Sequence, residues 1–296
     1  MLRLKGLVLC AAGIAGTASA AIPDSERQAL IAIYNATNGP GWTNRTGWLG
    51  APGTECNWYG VNCSLNNVTW LDLDNNNLVG PLPPGSFEAM RNLQFIYFYG
   101  NQLTGSIPSL AGLTRLSALW MHDNQLTGAI PALAGSGQLT SVNLSSNQLS
   151  GPIPDLTGLD DLAGLLLSNN QLSGPIPSLD GLTDLVTLHL KGNQLTGTIP
   201  RVDQLYSLDD LTLSDNRLRG QIPALPLNLR YVKVDGNRLT GTAPAAPPNL
   251  GGYLSDLCPN RLAPTPSAAW DAATGDTPWY RNCDTDTIFV DGFDET

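Results

Sequence analysis

The chain has 296 residues, and its 25 acidic side chains outnumber its 15 basic ones to give a formal net charge of −10 at pH 7. A protein this acidic should be repelled by nucleic acid and by anionic membrane surfaces, so neither is expected as a partner. Two globular domains would be ordinary at this length, but the repeats described below favour one elongated domain.

The first twenty residues have the composition of a secretory signal peptide. Two basic residues precede an apolar run over 7–15, and Ala18-Ser19-Ala20 is a small-residue cleavage site. Cleavage there would remove Cys10 with the leader. No later stretch reaches the ~18 apolar residues of a membrane-spanning helix. We therefore expect a secreted product, extracellular or at the cell surface, with the periplasm as an alternative.

Residues 21–67 are expected to form an amino-terminal cap. Ser25 and Gln28 fit a capping box that opens a helix, and the segment GPGWTNRTGW follows it. Trp42 and Trp48 in that segment are large apolar side chains. We interpret them as packing residues that cover the first repeat, and not as ligand contacts.

Residues 68–244 contain eight copies of one pattern, seen most plainly in LSALWMHDNQLTGAIP at 116–131. Its central asparagine recurs at a spacing of 25 residues, then 23 five times, then 21, at Asn76, Asn101, Asn124, Asn147, Asn170, Asn193, Asn216 and Asn237. An internal period of this length predicts a stacked repeat array.

The residue types within one repeat predict its structure. Leu119 and Met121 alternate with Trp120 and His122, which is the period of a short strand with one buried face. Stacked copies would form a parallel sheet at a spacing of ~4.8 Å. Asn124 follows the strand where the chain must turn, and its amide is expected to satisfy buried backbone groups. The Gly-x-Ile-Pro segment that follows leaves little room for an outer helix.

The pattern L-x-x-L-x-L-x-x-N-x-L-x-G-x-I-P resembles the plant-type leucine-rich repeat, although the 23-residue period is one residue shorter than usual. The resemblance implies an α/β-type, strand-rich solenoid, a curved right-handed stack with a parallel sheet on its concave face. The run SERQALIAIYNATNGPGWTNRTGWL resembles the cap of receptor ectodomains and polygalacturonase-inhibiting proteins. A similar cap occurs in exported bacterial repeat proteins.

Four cysteines remain after the predicted cleavage, and an exported protein is expected to use them in disulfides. Cys56 and Cys63 precede the repeats, and Cys258 and Cys283 follow them. Pairing within each end is the simplest of three connectivities and would staple both caps. Neither pair has the spacing of a zinc site, and no metal or cofactor is expected.

The repeat pattern decays after residue 244. Residues 245–283 are interpreted as a degenerate ninth repeat around Asn260, followed by a carboxyl-terminal cap that carries Trp270, Trp279 and Tyr280. Residues 284–296 form an acidic tail whose ending resembles that of exported gamma-proteobacterial proteins, which favours a bacterial source. A sorting tag and a loose tail are both compatible with its composition.

The sequence offers little catalytic chemistry. His122 and His189 are three repeats apart, roughly 14 Å at the strand spacing, too far to share a metal. Asp123 and Ser145 near His122 lack the loops of a hydrolase triad. Asp72 and Asp74 are expected to point into open solvent, with nothing to raise the pKa of either carboxyl. We therefore expect a protein that is not an enzyme.

The strongest functional signal is a set of residues predicted to lie together on three adjacent strands of the concave face. The candidate ligand-binding residues are Trp70, Asp72, Phe95, Tyr97, Tyr99, Trp120 and His122. A second and weaker patch contains His189, Lys191 and Lys233, whose positive charge would suit an acidic partner. The alternative is that the rings only pack on one another or under the cap.

These features favour a non-enzymatic recognition protein that binds a protein, peptide or carbohydrate on its concave face. A structural or adhesive cell-surface protein is the alternative from a different class. The resemblance to polygalacturonase inhibitors adds a third possibility, an inhibitor of a secreted hydrolase, although no residue selects such a target.

Overall fold

The computed structural model describes residues 21–281 and 283, so the predicted signal peptide and the acidic tail lie outside the described residues. Two α-helices, α1 (Asp24–Ala36) and α2 (Ala268–Thr274), flank the strands, and short 3-10 turns occupy Gly39–Gly41 and Glu55–Asn57. The strands are β1 (Val61–Ser64), β2 (Asn67–Asp72), β3 (Val79–Pro81), β4 (Phe95–Tyr97), β5 (Gln102–Thr104), β6 (Ala118–Trp120), β7 (Thr127–Gly128), β8 (Ser141–Asn143), β9 (Gln148–Gly151), β10 (Gly164–Leu166), β11 (Gln171–Pro175), β12 (Thr187–His189), β13 (Gln194–Thr196), β14 (Asp210–Thr212), β15 (Arg219–Gly220), β16 (Tyr231–Lys233), β17 (Arg238–Thr242) and β18 (Arg261–Ala263).

One nine-stranded sheet runs the length of the stack in the order β1-β2-β4-β6-β8-β10-β12-β14-β16. β1 is antiparallel to β2. Every later neighbour pairs in parallel, one repeat further along the chain. This confirms the predicted solenoid with stacked parallel strands.

The interior of the stack is built from the leucine positions of the repeat. Leu116, Leu119, Met121 and Leu126 are fully buried in a single repeat. Trp120 and His122, which alternate with Leu119 and Met121, are only partly buried, as the alternation predicts. Short strands on the return path form three smaller sheets. Within residues 68–244 the structure has no α-helix, as the Gly-x-Ile-Pro segments predict.

The recurring asparagines form a hydrogen-bonded ladder inside the stack. The Nδ2 of Asn147 donates to the carbonyl of Leu144 in its own turn at 3.1 Å and to that of Met121 in the preceding turn at 3.0 Å. Its Oδ1 accepts from the backbone N–H of Leu126 at 3.0 Å. The same three bonds recur at Asn170, where the donated bonds go to equivalent carbonyls. Each amide therefore fastens one turn to the previous one, as predicted.

The residue before each ladder asparagine adopts a left-handed backbone, which explains the residue types there. Asp123 has φ 54° and Gly100 has φ 65°. Asp, Asn and Gly tolerate this region best among the amino acids. At Gly100 a Cβ would lie 2.2 Å from Asn75 Oδ1, so a larger residue there would displace the Asn75 side chain.

The amino-terminal cap differs from prediction at one point. Helix α1 begins after Pro23 with no side-chain capping hydrogen bond, so the capping box at Ser25 and Gln28 is wrong. The reason is that the helix starts earlier, and the Gln28 amide donates to Asp24 instead, at 3.4 Å. Trp42 and Trp48 are buried, and each indole N–H donates to a backbone carbonyl. Their predicted packing role is confirmed.

The two ends are closed by disulfides with the predicted pairing. Cys56 is bonded to Cys63, and Cys258 is bonded to Cys283. Near the second bridge, Asn260 donates to the carbonyls of Leu257 and Val234 and so repeats the ladder geometry. Trp270 and Trp279, each 1% exposed, cover the apolar end of the stack. Stapled and covered ends keep the first and last rungs from water.

The ladder can be tested with Asn170→Asp, which keeps the shape and one acceptor oxygen but removes both amide donors. Buried carbonyls would lose their partners and face a carboxylate, so the free energy of unfolding should fall by roughly 3 kcal/mol. Urea titration followed by circular dichroism measures the change. Asn228→Asp is the matched control, because the exposed Asn228 amide makes a single bond to the Tyr206 carbonyl. Equal destabilisation by the two variants would contradict the ladder's role.

Candidate ligand-binding site

The strand register places the predicted residues in columns across the concave sheet. Trp70 pairs with Phe95, and Asp72 pairs with Tyr97 on the next strand. Tyr97 in turn pairs with Trp120. Because the ladder holds successive turns in register, residues from three repeats stand side by side on one face.

We call six side chains on these strands the aromatic patch: Trp70, Phe95, Tyr97, Tyr99, Trp120 and His122. Tyr97 and Trp120 are stacked, with ring centroids 4.6 Å apart and an angle of 22° between the planes. Tyr99 and His122 are stacked at 4.5 Å and 8°. Trp70 meets Tyr97 edge-on at 5.5 Å. Offset and edge contacts of this kind hold the rings in fixed orientations.

The rings pack on one another and still face the groove. All six side chains of the aromatic patch are half-buried, so each keeps some solvent-exposed surface. The Trp120 indole donates to the Ser141 hydroxyl at 2.9 Å, which fixes the far side of its ring. A shallow depression of about 380 Å³ adjoins the patch, and it is lined by Tyr99, Trp120, His122, Ser141, Asn143 and Leu166.

The carboxyls beside the aromatic patch are not in open solvent, which corrects the expectation from sequence. Burial, together with a hydrogen bond and repulsion from Asp74, raises the pKa of Asp72 to about 6. Burial also acts to raise the pKa of Asp74, but hydrogen bonds from Asp72, Asn75 and Tyr99 outweigh it and hold that pKa below its ordinary value. The two carboxyls thus share a hydrogen bond in a partly dry setting.

This carboxyl pair lacks the geometry of a glycosidase. Such enzymes need their two carboxyls about 5 Å or more apart, so that a sugar or a water fits between them. Here Asp72 and Asp74 bond to each other, and Asn75 Nδ2 also donates to Asp74 at 2.8 Å. The pair can accept hydrogen bonds or hold a positive group, which are binding roles.

His122 is positioned for stacking. Its Nε2 lies 3.9 Å from Asp123 Oδ2, too far for a hydrogen bond. Burial lowers the pKa of His122, against smaller opposing effects of Asp123 and Asp74. The ring is therefore neutral near pH 7 and faces Tyr99. The arrangement does not form the hydrolase triad considered from the sequence.

The second patch is less positive than the sequence suggested. His189 Nε2 lies 2.9 Å from Asp210 Oδ2, and Lys191 Nζ lies 3.5 Å from Asp215 Oδ2. These carboxylates offset the positive charge that was expected to attract an acidic partner. The patch borders a second depression, of about 340 Å³, lined by His189, Lys191, Asp210, Thr212, Tyr231, Lys233 and Leu254.

Sequence reasoning missed three contributors to this face: Asp210, Tyr231 and Leu254. Asp210 and Tyr231 occupy the same column as Trp70 and Phe95, so extending that column along the repeats would have found them. Leu254 has no such signal, because it lies beyond the last regular repeat and is 46% exposed.

The part of the chain that the structure describes has neither a metal-binding cluster nor a membrane-spanning helix. No group of three or more His, Cys, Asp or Glu side chains there is arranged to hold a metal ion. No helix among residues 21–281 has the length and apolar character needed to cross a membrane.

Comparison with known proteins assigns the repeats. Residues 66–126 and 138–159 match families described as leucine rich repeat. An inactive leucine-rich repeat receptor-like serine/threonine-protein kinase of Arabidopsis thaliana is 35% identical over 98 residues, which are 33% of this chain and 14% of that protein.

Solved structures extend the likeness to most of the described stack. The structure of PEPR1 with AtPEP1 superposes on this chain with a TM-score of 0.71 at 27% identity. The alignment covers 86% of this chain and 37% of the PEPR1 chain. The ectodomain of the Arabidopsis thaliana receptor kinase GASSHO1/SCHENGEN3, in complex with CASPARIAN STRIP INTEGRITY FACTOR 2, has a TM-score of 0.68 at 29% identity. The alignment covers 84% of this chain and 34% of the receptor chain.

The chain spans about a third of these ectodomains and a seventh of the curated relative. The relatives named here are plant proteins, and they give no support to the bacterial source expected from the tail. The matched repeats, the asparagine ladder and the stacked parallel sheet show that the chain contains leucine-rich repeats and has the leucine-rich-repeat solenoid fold, similar to that of plant receptor ectodomains.

Proposed function

We propose that the protein is a non-enzymatic recognition module that binds a peptide, or an extended segment of a protein, across the aromatic patch. The observation that carries this proposal is the stacked Tyr97–Trp120 pair, held in fixed orientation and half-buried on an open face. Rigid aromatic rings bury a large area at low entropic cost, which makes them frequent anchors of binding surfaces.

The solved relatives support a peptide as the ligand. PEPR1 was solved with AtPEP1, and the HAESA ectodomain was solved in complex with a peptide hormone ligand. HAESA matches this chain at 27% identity with a TM-score of 0.55, covering 81% of this chain and 50% of that one. An open face also suits an extended chain, because such a ligand can contact several rungs at once.

An exported location fits the same proposal. The described chain holds two disulfides, which form and persist in oxidising compartments. A soluble module with stapled ends would present its concave face to ligands outside the cell. The adhesive and hydrolase-inhibitor alternatives gain no specific contact from the structure, so peptide recognition is the function we put forward.

The proposal is tested by selecting binders from a random peptide library displayed on phage, then measuring their affinity for Tyr97→Ala/Trp120→Ala protein. Loss of two central anchors should weaken selected peptides by roughly thirtyfold or more, in line with hot-spot truncation. Tyr206→Ala is the control, because this tyrosine is 70% exposed on an outer turn. Peptides that bind both variants equally well would place recognition elsewhere and contradict the proposal.

The Asp72 carboxylate is expected to lower the free energy of unfolding at neutral pH. The folded-state pKa of Asp72, about 6, lies above its ordinary value of 3.8. The folded state therefore binds more protons than the unfolded state in that window, so stability should fall as pH rises through it. Asp72→Asn should raise the free energy of unfolding at neutral pH and have little effect below pH ~4.

Urea titrations of both proteins at acidic and neutral pH measure this difference. Asp160→Asn, which changes an exposed carboxyl on an outer turn, is the control and should show no such pH-dependent gain. A neutral-pH loss of stability in Asp72→Asn would show that the carboxylate stabilises the fold, contrary to the expectation.

A further inference from the structure

The groove beside the aromatic patch carries an excess of negative charge. Three outward columns run along the concave sheet, and their charged members are four aspartates and two lysines: Asp72, Asp74, Asp210, Asp235, Lys191 and Lys233. Lys191 is in addition paired with Asp215, which lies outside the columns. A ligand that complements this face is therefore cationic.

The charge is concentrated where the rings are. Asp72 and Asp74 lie on and just after β2, and Tyr97 and Tyr99 stand beside them on the next rung. Aromatic faces attract cations through their quadrupole, and a guanidinium can stack on a ring while it donates to a carboxylate. Rings and carboxyls at one place suit a planar cation better than a neutral or an acidic group.

The carboxyl pair is also incompletely satisfied by the chain itself. Among the described residues, Asp72 Oδ1 is buried and has no hydrogen-bond partner. Asp74 receives bonds from Asn75 and Tyr99, so Asp72 is the member with acceptor capacity left. A guanidinium has five N–H donors in a fixed fork and no acceptor, which matches this requirement.

We propose that the aromatic patch, with Asp72 and Asp74, binds the side chain of an arginine in the peptide ligand. This inference rests on the proposed function and specifies the chemistry of its ligand. The guanidinium lies against the half-buried rings of Tyr97 and Trp120 and donates to the carboxyl pair of Asp72 and Asp74.

Arginine binding at the aromatic patch should depend on pH. Asp72 faces Asp74, which lies just after the same strand, and Tyr97 and Tyr99 from the next rung, while β1 on the other side has no charged residue. With a pKa of about 6, Asp72 carries a proton in much of the free protein at mildly acidic pH. A bound cation favours the ionised form, so binding releases that proton and strengthens as pH rises through this value.

The test uses the mature chain and three synthetic tripeptides, blocked at both ends, with a central arginine, citrulline or glutamate. Citrulline has nearly the shape of arginine without its charge, which isolates the contribution of the cation. Affinities are measured by quenching of tryptophan fluorescence, up to about 20 mM peptide, a range suited to ligands this small. We expect the arginine peptide to bind at least about fivefold more tightly than the citrulline peptide, with the glutamate peptide weakest.

Asp72→Asn and Asp74→Asn should each reduce the preference for arginine, and Asp72→Asn should also remove the pH dependence near pH 6. Asp160→Asn is the matched control and should change neither. Circular dichroism confirms that each variant is folded, and the two sites give independent readings if one fails. Equal binding of arginine and citrulline peptides, no measurable arginine binding, or an unchanged preference in both variants would overturn the proposal.

These outcomes are separable from failure of the proposed function. If the phage-selected peptides lose affinity for Tyr97→Ala/Trp120→Ala protein but contain no enriched arginine, the patch is a recognition site and only its ligand chemistry is wrong. If the arginine peptide binds with equal strength to that double variant, the cation is held elsewhere and both proposals fail at this patch.

Discussion

The structure depends on one interaction, the bonding of a buried asparagine amide to backbone groups of two successive turns. Asn147 illustrates it with bonds to carbonyls of its own and the preceding turn, and an accepted bond from the preceding turn as well. The buried polar groups of a tight turn are thereby paired. Left unpaired in a leucine-lined interior, they would destabilise the fold. Since each amide spans one rung, the ladder also fixes the register on which every concave column depends.

That register explains why the aromatic rings are both packed and available. Parallel strands at their ordinary spacing bring side chains of one column within about 5 Å of each other, and the Tyr97 and Trp120 centroids lie 4.6 Å apart. Rings at that distance are in contact, and these two are stacked. Mutual packing and recognition are therefore compatible interpretations, because stacking fixes each ring while its groove-facing side stays half-exposed. The entropy of ordering these side chains is lost on folding, before any ligand binds.

Features that repeat could be predicted from the sequence, and features that arise from single contacts between repeats could not. The ladder, the strands and the aromatic columns follow from a period visible at Asn124 and its counterparts. Charge compensation at His189 depends on Asp210, which is 21 residues away and adjacent only after the strands pair. The raised pKa of Asp72 likewise depends on burial beside Tyr97, which no residue pattern along the chain encodes.

The carboxyl pair gives the strongest reason to connect this face with binding. Two aspartates that share a hydrogen bond in a partly buried setting repel each other when both are ionised, so the unliganded fold bears a cost. A serine or an asparagine at position 72 would fit the same column, as Asn143 does on β8, three strands along the sheet from β2. Nothing in the packing of the leucine interior requires a carboxylate there. Repulsion between the two carboxylates therefore destabilises the unliganded fold, and no packing contact explains why both are present. Such local destabilisation beside six ordered rings is expected of a binding surface whose ligand relieves the repulsion.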